Sequence, residues 1–205
     1  MNLTEDRRIS RTKEAIRQAM ILLIEEKGFD ALTVKDITTR ANLNRGTFYL
    51  HYKDKFDLLD QTLKEITLDL ENISREITAT SNDKFVNTTM ISAMILRLFK
   101  YFNTNAPLMK ALFSIKGKGI NSLQNAIKQL MWRNIFEKDN PLHIKQKDLL
   151  VPKEYLISYI ISAHIGVIQE WLEKEKKVRE TPEEMAEILI NLSFRGPLYA
   201  IGLTP

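Results

Sequence analysis

The residues best suited to chemistry in this chain lie close together, in a basic and aromatic segment at residues 44–52. Arg45 and Thr47 open a short predicted helix. A guanidinium there can pair with guanine in a DNA major groove, and a Thr methyl can meet a thymine methyl. Leu50 is expected either to touch a base methyl or to pack. The residues that suit contacts to phosphates are Thr33, Tyr49, His51, Lys53 and Lys55.

A helix-turn-helix is predicted around this segment. Thr33 is a favourable N-cap because its hydroxyl can accept a hydrogen bond from an unpaired backbone N–H of the first turn. The apolar stripe of the helix that follows is spaced by three and four residues and comprises Val34, Ile37 and Ala41. Asn42 tolerates the left-handed backbone that a reversal needs, and Asn44 can cap the second helix. Two short helices with a basic second member are typical of proteins that place one helix in the major groove.

Gly46 stands one residue inside the second helix, where glycine costs up to about 1 kcal/mol relative to alanine. Close approach of the backbone to another surface would explain it, and DNA is the expected surface. On the same helix Phe48 is predicted to be buried. The side chains predicted to point outward are Arg45, Thr47, Tyr49 and His51.

Residues 11–63 resemble the N-terminal domain of the TetR/AcrR family of bacterial transcriptional regulators. The resemblance is carried by residues 31–37, 45–49 and 52–59, and it covers a quarter to a third of the chain. The family usually has Ala, Gly and Ser where this chain has Thr38, Asn42 and Asn44, and each is a chemically tolerable replacement. The resemblance implies a dimer that reads a palindromic operator in double-stranded DNA.

Composition sets bounds on the class of protein. The 205 residues are 44% apolar and 27% charged, which is typical of one large or two small globular domains. The absence of cysteine excludes disulfides and thiolate metal sites and fits a reducing cytoplasm. The polar start and the lack of an apolar run of about 20 residues predict neither a signal peptide nor a membrane span.

Charge is concentrated toward the helix-turn-helix. Residues 1–55 contain eleven Lys and Arg against eight Asp and Glu, a net +3, which leaves +1 of the total +4 for the remaining residues. A local excess of this kind is what contacts to DNA phosphates require.

The remaining chain predicts an all-α protein of about nine helices. We expect a three-helix DNA-binding domain at residues 1–55, a bridging helix at 55–78 and a helical effector-binding and dimerisation domain at 79–205. The bridging helix has a narrow apolar seam of Leu59, Leu63, Ile66, Leu70, Ile73 and Ile77. Thr181, Pro182 and Glu184 form a strong helix start.

A predicted helix at residues 153–177 is apolar around its whole axis, so it should be covered on several sides. We expect one side to meet the domain core and another to meet a partner subunit, in a two-fold four-helix interface that the family resemblance also implies. The candidate interface residues are Ile161, Ile165, Ile168, Leu189 and Leu192. Residues 162–166, 171–173 and 182–186 show a looser resemblance to a regulatory-domain subtype of Gram-positive members.

Aromatic and Met side chains in the second domain could line an adaptable cavity for a small apolar or amphipathic effector, although most of them must be core. The candidates are Met94, Phe99, Phe102, Phe113, Met131, Trp132 and Tyr159. The three histidines have no metal-ligand spacing, and no nucleophile–base arrangement occurs in the sequence. We therefore expect no cofactor, no metal and no enzymatic activity.

The sequence thus predicts a cytoplasmic, homodimeric regulator, expected to be a repressor that a small-molecule effector releases from its operator. One alternative is a TetR-like DNA binder that a partner protein controls, with no small-molecule pocket. Another is an all-α enzyme or interaction module that only mimics the motif.

Overall fold

A computed structural model describes residues 3–80, 88–115, 123–136, 147 and 149–202. Throughout these ranges the regular structure is helical and no strand occurs, which confirms the predicted fold class. Over the same ranges, no helix combines the length and hydropathy of a membrane-crossing segment. The helices are α1 (Leu3–Ala31), α2 (Val34–Arg40), α3 (Arg45–Tyr49), α4 (Lys55–Thr80), α5 (Thr88–Thr104), α6 (Ala106–Ser114), α7 (Leu123–Phe136), α8 (Lys153–Glu173), α9 (Pro182–Phe194) and α10 (Pro197–Ala200).

The chain divides into two compact units. The first comprises residues 1–66 and 107–122, and the second comprises residues 67–106 and 123–205. In the first unit, α1, α2, α3 and the start of α4 surround a core of fully buried side chains. The largest of these are Ile16, Met20, Leu32, Ile37, Phe48 and Leu58.

Helix α1 begins at Leu3, about two turns earlier than the predicted start near Ser10. The added turns include Leu, Glu and Arg, which are good helix formers and favour a helix that begins before the apolar pattern does. The predicted stop at Gly28 is confirmed as a break: its φ of 77° is left-handed, and the helix resumes only briefly to Ala31.

The apolar seam of α4 is confirmed over its first four members. The buried residues are Leu59, Leu63, Ile66 and Leu70. Ile73 is half-buried, and the side chain of Ile77 lies outside the described residues. Helix α4 continues to Thr80, two residues beyond the predicted end of the bridging helix at residue 78. A seam of this width buries one face of α4, and the exposed remainder is mostly polar, with Phe56 and Leu68 as apolar exceptions.

In the second unit, α5 packs against α9, and α8 packs against both α7 and α9. Phe99 on α5 meets Trp171 on α8 edge to face, with ring centroids 5.1 Å apart. Thr181 and Glu184 form the capping box that begins α9, and Pro182 occupies its first turn. This start is the one that the sequence predicts.

Helix α8 ends at Glu173, four residues before the predicted end. The following loop folds back and satisfies the last carbonyls of the helix: Arg179 donates to the carbonyls of Leu172 and Lys174, both at 2.9 Å. The Arg179 guanidinium also lies 5.4 Å from the Trp171 ring. A side chain that donates to terminal carbonyls ends a helix where the apolar pattern alone would extend it.

Candidate nucleic-acid interface

Thr33 begins α2 with a capping box. Its hydroxyl accepts from the Asp36 amide at 3.2 Å, and the Asp36 carboxylate accepts from the Thr33 amide at 2.9 Å and from the Thr33 hydroxyl at 2.6 Å. Asp36 also pairs with Lys27 at 2.7 Å. The Lys27 ammonium, followed by the Thr33 hydroxyl and amide, lowers the pKa of the Asp36 carboxyl to about 2. The predicted cap is confirmed, and it is anchored to α1.

The turn between α2 and α3 has the predicted backbone. Asn42 takes a φ of 53°, and Asn44 caps α3 by accepting from the Gly46 amide at 2.9 Å. Thr38 is buried, and its hydroxyl donates to backbone carbonyls of the preceding turn. A hydroxyl at this position is therefore satisfied where the resembled family usually has alanine.

Phe48 fixes α3 to the first unit. Its side chain is fully buried, and its ring lies 5.6 Å from Tyr49 and 5.5 Å from Tyr52, centroid to centroid. The opposite face of the helix is open: Leu50 is 81% exposed and Tyr49 is 51% exposed. Helix α3 is thus held by one aromatic anchor and presents its other side chains outward.

The remaining predicted contact residues lie on or beside this open face. Arg45, Gly46 and Lys53 are exposed, whereas Thr47 and His51 are half-buried. In the part of the chain that the structure describes, no ion pair involves Arg45 or Lys53. Both cations therefore remain available to an anionic partner.

Gly46 has no internal reason to be glycine. A Cβ there would meet only the Asn44 side-chain oxygen at 3.5 Å, an ordinary van der Waals contact, and the backbone is not left-handed. Because Gly costs helix stability relative to Ala, the protein itself gains nothing from it. A constraint from outside the chain fits this observation.

Two cations near the motif already bind groups of the protein itself. Arg40 makes a bidentate pair with Glu26, with both N···O distances at 2.7 Å. Lys55 Nζ donates to the carbonyls of Phe29, Asp30 and Leu32 at 2.8–3.0 Å. Its three donors are then filled, so the geometry favours a positioning role for Lys55 over the predicted phosphate contact.

The predicted pocket residues do not form one group. Phe99 and Phe102 are buried core, and Met94 and Trp132 are half-buried in the second unit. The half-buried Phe113 belongs to the first unit. The side chain of Met131 lies outside the described residues. Tyr159 is 61% exposed, which corrects the expectation that it lines an enclosed cavity.

The predicted dimer face also needs correction. The structure buries four of its five members inside their own chain: Ile161, Ile165, Ile168 and Leu189. Leu192 is half-buried. A side chain already covered within one subunit has no surface for another. The exposed face of α8 is the opposite one, and it includes Tyr155, Tyr159, Ala163 and Gly166.

Comparison with known proteins places both parts of the chain. Residues 13–62 match the model for bacterial regulatory proteins of the tetR family, and residues 90–195 match a transcriptional regulator C-terminal region of the same type. The uncharacterised HTH-type regulator YxbF of Bacillus subtilis is 40% identical over 60 residues, which are 29% of this chain. That match spans 16% of YxbF, so this chain covers less than a fifth of the relative's length.

Solved structures share the fold over nearly the whole chain. A Clostridium perfringens putative fatty acid metabolism regulator has a TM-score of 0.69 at 18% identity, covering 89% of this chain and 97% of its own. A putative TetR-family regulator from Syntrophomonas wolfei has a TM-score of 0.67 at 19% identity, covering 95% and 97%. One family model matches the helix-turn-helix, and a second matches residues 90–195, which are half of the whole chain. The protein therefore belongs to the TetR family of transcriptional regulators.

Proposed function

We propose that the protein is a homodimeric repressor that binds a palindromic operator and that a small-molecule effector releases. Residues 1–55 bind the DNA, α4 bridges, and residues 79–205 bind the effector and form the dimer. The protein works in the cytoplasm, where a bacterial chromosome lies. Effector binding favours a conformation whose two recognition helices no longer match the half-site spacing.

The open face of α3 is the observation that carries this proposal. Arg45 and Thr47 contact base edges, and Gly46 lets the backbone approach the duplex. The phosphate contacts come from Thr33, Tyr49, His51 and Lys53. Lys55 acts indirectly, because its ammonium ties the start of α4 to the carbonyls that follow α1.

Selection of duplexes from a randomised DNA library tests the proposal. The wild-type protein should enrich a palindrome, and the Arg45→Ala/Tyr49→Ala/Lys53→Ala variant should lose that enrichment and at least 100-fold (roughly) in affinity, because three contacts are worth about 1 kcal/mol or more each. The matched control is Lys176→Ala/Lys177→Ala/Val178→Ala, which removes the same charge from an exposed loop of the second unit. Equal binding by the two variants would refute the assignment of α3.

The exposed face of α8 supports the dimer. Ala163 and Gly166 are small and exposed, so two such helices can approach closely, and Tyr155 and Tyr159 supply aromatic area beside them. A Cβ added at Gly166 would meet nothing within 4 Å in the part of its own subunit that the structure describes. Gly166→Glu should therefore leave the subunit folded and give a monomer in sedimentation equilibrium. Gln129→Glu, at an exposed position of α7, should remain dimeric, and a dimeric Gly166→Glu protein would exclude this face.

Two kinds of signal are candidates for releasing the operator, namely a small molecule and a partner protein. A TetR-like fold is known in the SmeT–triclosan complex, at 14% identity and a TM-score of 0.58, which supports a small apolar effector. The exposed apolar residues Leu198, Tyr199 and Ile201 favour control by a partner protein instead. Fluorescence anisotropy of the operator complex separates the two. Release by triclosan or by a fatty acid supports an effector, and release only by a bound protein supports the alternative.

A further inference from the structure

A polar cleft lies between α1 and α4 in the first unit. Its volume is about 310 Å³, at the lower end of the roughly 300–1,000 Å³ that small-molecule sites occupy, so it suits a small ligand. All of its lining residues fall within residues 9–65, whereas the proposed effector domain begins at residue 79. The side chains that matter here are Ile9, Lys13, Glu14, Arg17, Tyr52 and Glu65.

An arginine joins the two helices at the cleft. Arg17 of α1 donates to Oε2 of Glu65 on α4 at 2.9 Å, and it also donates to Glu14. The other carboxylate oxygen of Glu14 accepts from Gln18 at 2.8 Å. Arg17 and Glu14 therefore already have partners within the protein.

Three polar groups of the cleft have no such partner. Tyr52 is only 5% exposed, yet its hydroxyl takes part in none of the hydrogen bonds that the structure describes. Over the same ranges the Lys13 ammonium forms no ion pair, and Oε1 of Glu65 accepts no hydrogen bond. A polar group on so buried a side chain is normally hydrogen-bonded. The Tyr52 hydroxyl therefore calls for a partner from outside the protein.

The charges of the cleft favour a ligand that carries both signs. Lys13 and Arg17 balance Glu14 and Glu65, so a ligand with a single charge would leave one charge uncompensated. Lys13 and Glu65 line the same cleft without pairing with each other. Burial, followed by the Glu65 carboxylate, raises the pKa of Tyr52 to about 12, so its hydroxyl remains a donor at neutral pH.

We propose that this cleft binds a small zwitterion of the amino-acid class. Its carboxylate accepts from the Lys13 ammonium and the Tyr52 hydroxyl, and its ammonium donates to Glu65. Lys13 Nζ lies 6.0 Å from the centroid of the Tyr52 ring, so one carboxylate can contact both side chains. Ile9, which is 41% exposed, offers apolar contact to the ligand's side chain. The site is additional to the proposed effector site and does not depend on DNA binding.

The test is isothermal titration of the full chain with each of the standard L-amino acids. An amino acid that binds is compared with its carboxamide, which lacks the carboxylate, and with the carboxylic acid that lacks the ammonium. Tyr52→Phe removes only the hydroxyl of a buried ring, and Lys13→Met removes the ammonium. The matched controls are Tyr199→Phe and Lys35→Met, at exposed positions outside the cleft. Circular dichroism melting checks that all four variants fold.

We expect at least one amino acid to bind and both of its analogues to bind at least about tenfold more weakly. Tyr52→Phe and Lys13→Met should each weaken binding about tenfold, as loss of a hydrogen bond to a charged group does, and the controls should bind as the wild type does. The inference is overturned if no amino acid binds, or if both cleft variants bind as tightly as the wild type. Equal binding of the carboxylic acid would overturn it too, because Glu65 would then have no ammonium to accept from. Loss of operator binding is a separate result, which would count against the proposed function alone.

Discussion

In the helix-turn-helix, the sequence pattern predicts which side chains are exposed, whereas in helix α8 it does not. In residues 33–52, side-chain caps set where each helix begins. Most outward residues are polar, charged or glycine, with Leu50 an apolar exception, and most inward ones are apolar, with Thr38 a polar exception. Helix α8 begins without a side-chain cap, and apolar residues lie all around it. The difference between a polar and an apolar face identifies the site in the helix-turn-helix. Helix α8 has no such difference, so its sequence does not show which face points inward.

The difference has a physical origin. A cap or a left-handed turn is decided by atoms within a few residues, as in the Thr33–Asp36 box and at Asn42. The inward face of α8 is decided by packing against other helices, namely α7, α9 and, through the Phe99–Trp171 contact, α5. Caps and turns can therefore be predicted from sequence, whereas the apolar face with which a helix packs against its neighbours depends on tertiary structure.

Phe48→Ala should produce the largest effect and sharpen this comparison. Removing a fully buried aromatic ring costs about 3–5 kcal/mol of unfolding free energy, and α3 loses its only deeply buried anchor among the described residues. The neighbouring Tyr49→Ala should cost about 1 kcal/mol or less, because half of that ring is already exposed. Urea denaturation gives both values, and similar costs would show that α3 is not anchored in this way.

The second prediction concerns α8. Ile161→Ala opens a cavity in the core of the second unit and should cost about 2–5 kcal/mol of unfolding free energy. Tyr159→Ala should leave the helical content unchanged and shift sedimentation equilibrium toward monomer, since exposed aromatics are enriched at interface hot spots. If Ile161→Ala instead gave a monomer without loss of stability, the result would support the dimer face that includes Ile161, as the sequence predicts.

The third prediction compares Lys53 and Lys55, one of which we expect to contribute to DNA affinity and the other to the stability of the fold. Lys55→Met removes three hydrogen bonds to carbonyls and should destabilise the fold by about 1–2 kcal/mol, with the salt dependence of DNA affinity unchanged. Lys53→Met should leave stability unchanged and reduce that salt slope by about 1. A reduced slope in the Lys55→Met protein would restore its predicted phosphate contact.

The smallest effect concerns acid stability. Because the pKa of Asp36 falls to about 2 in the folded state, from about 3.9 unfolded, its stabilisation is complete above about pH 4 and disappears as pH falls toward 2. The stability difference between wild type and Asp36→Asn should therefore narrow over that range in urea denaturation. A difference independent of pH would mean that the Lys27 pair and the cap contribute nothing through charge.

Much of the candidate site was predictable from sequence because its determinants are local. The caps at Thr33 and Asn44, the reversal at Asn42 and the burial of Phe48 all appear as predicted. The role of Lys55 was not predictable, because its carbonyl partners lie more than 20 residues away. The same holds for the Glu26–Arg40 pair, which removes one of the cations counted toward DNA binding.

Gly46→Ala is the sharpest test of the contact between α3 and DNA, because the open face of α3 has room for a methyl group within the protein, whereas a bound duplex would leave none. We expect a melting temperature that is unchanged or higher, since alanine favours a helix by up to about 1 kcal/mol, together with operator affinity at least about tenfold weaker. A variant that binds the selected operator as tightly as the wild type would show that α3 does not approach DNA at Gly46.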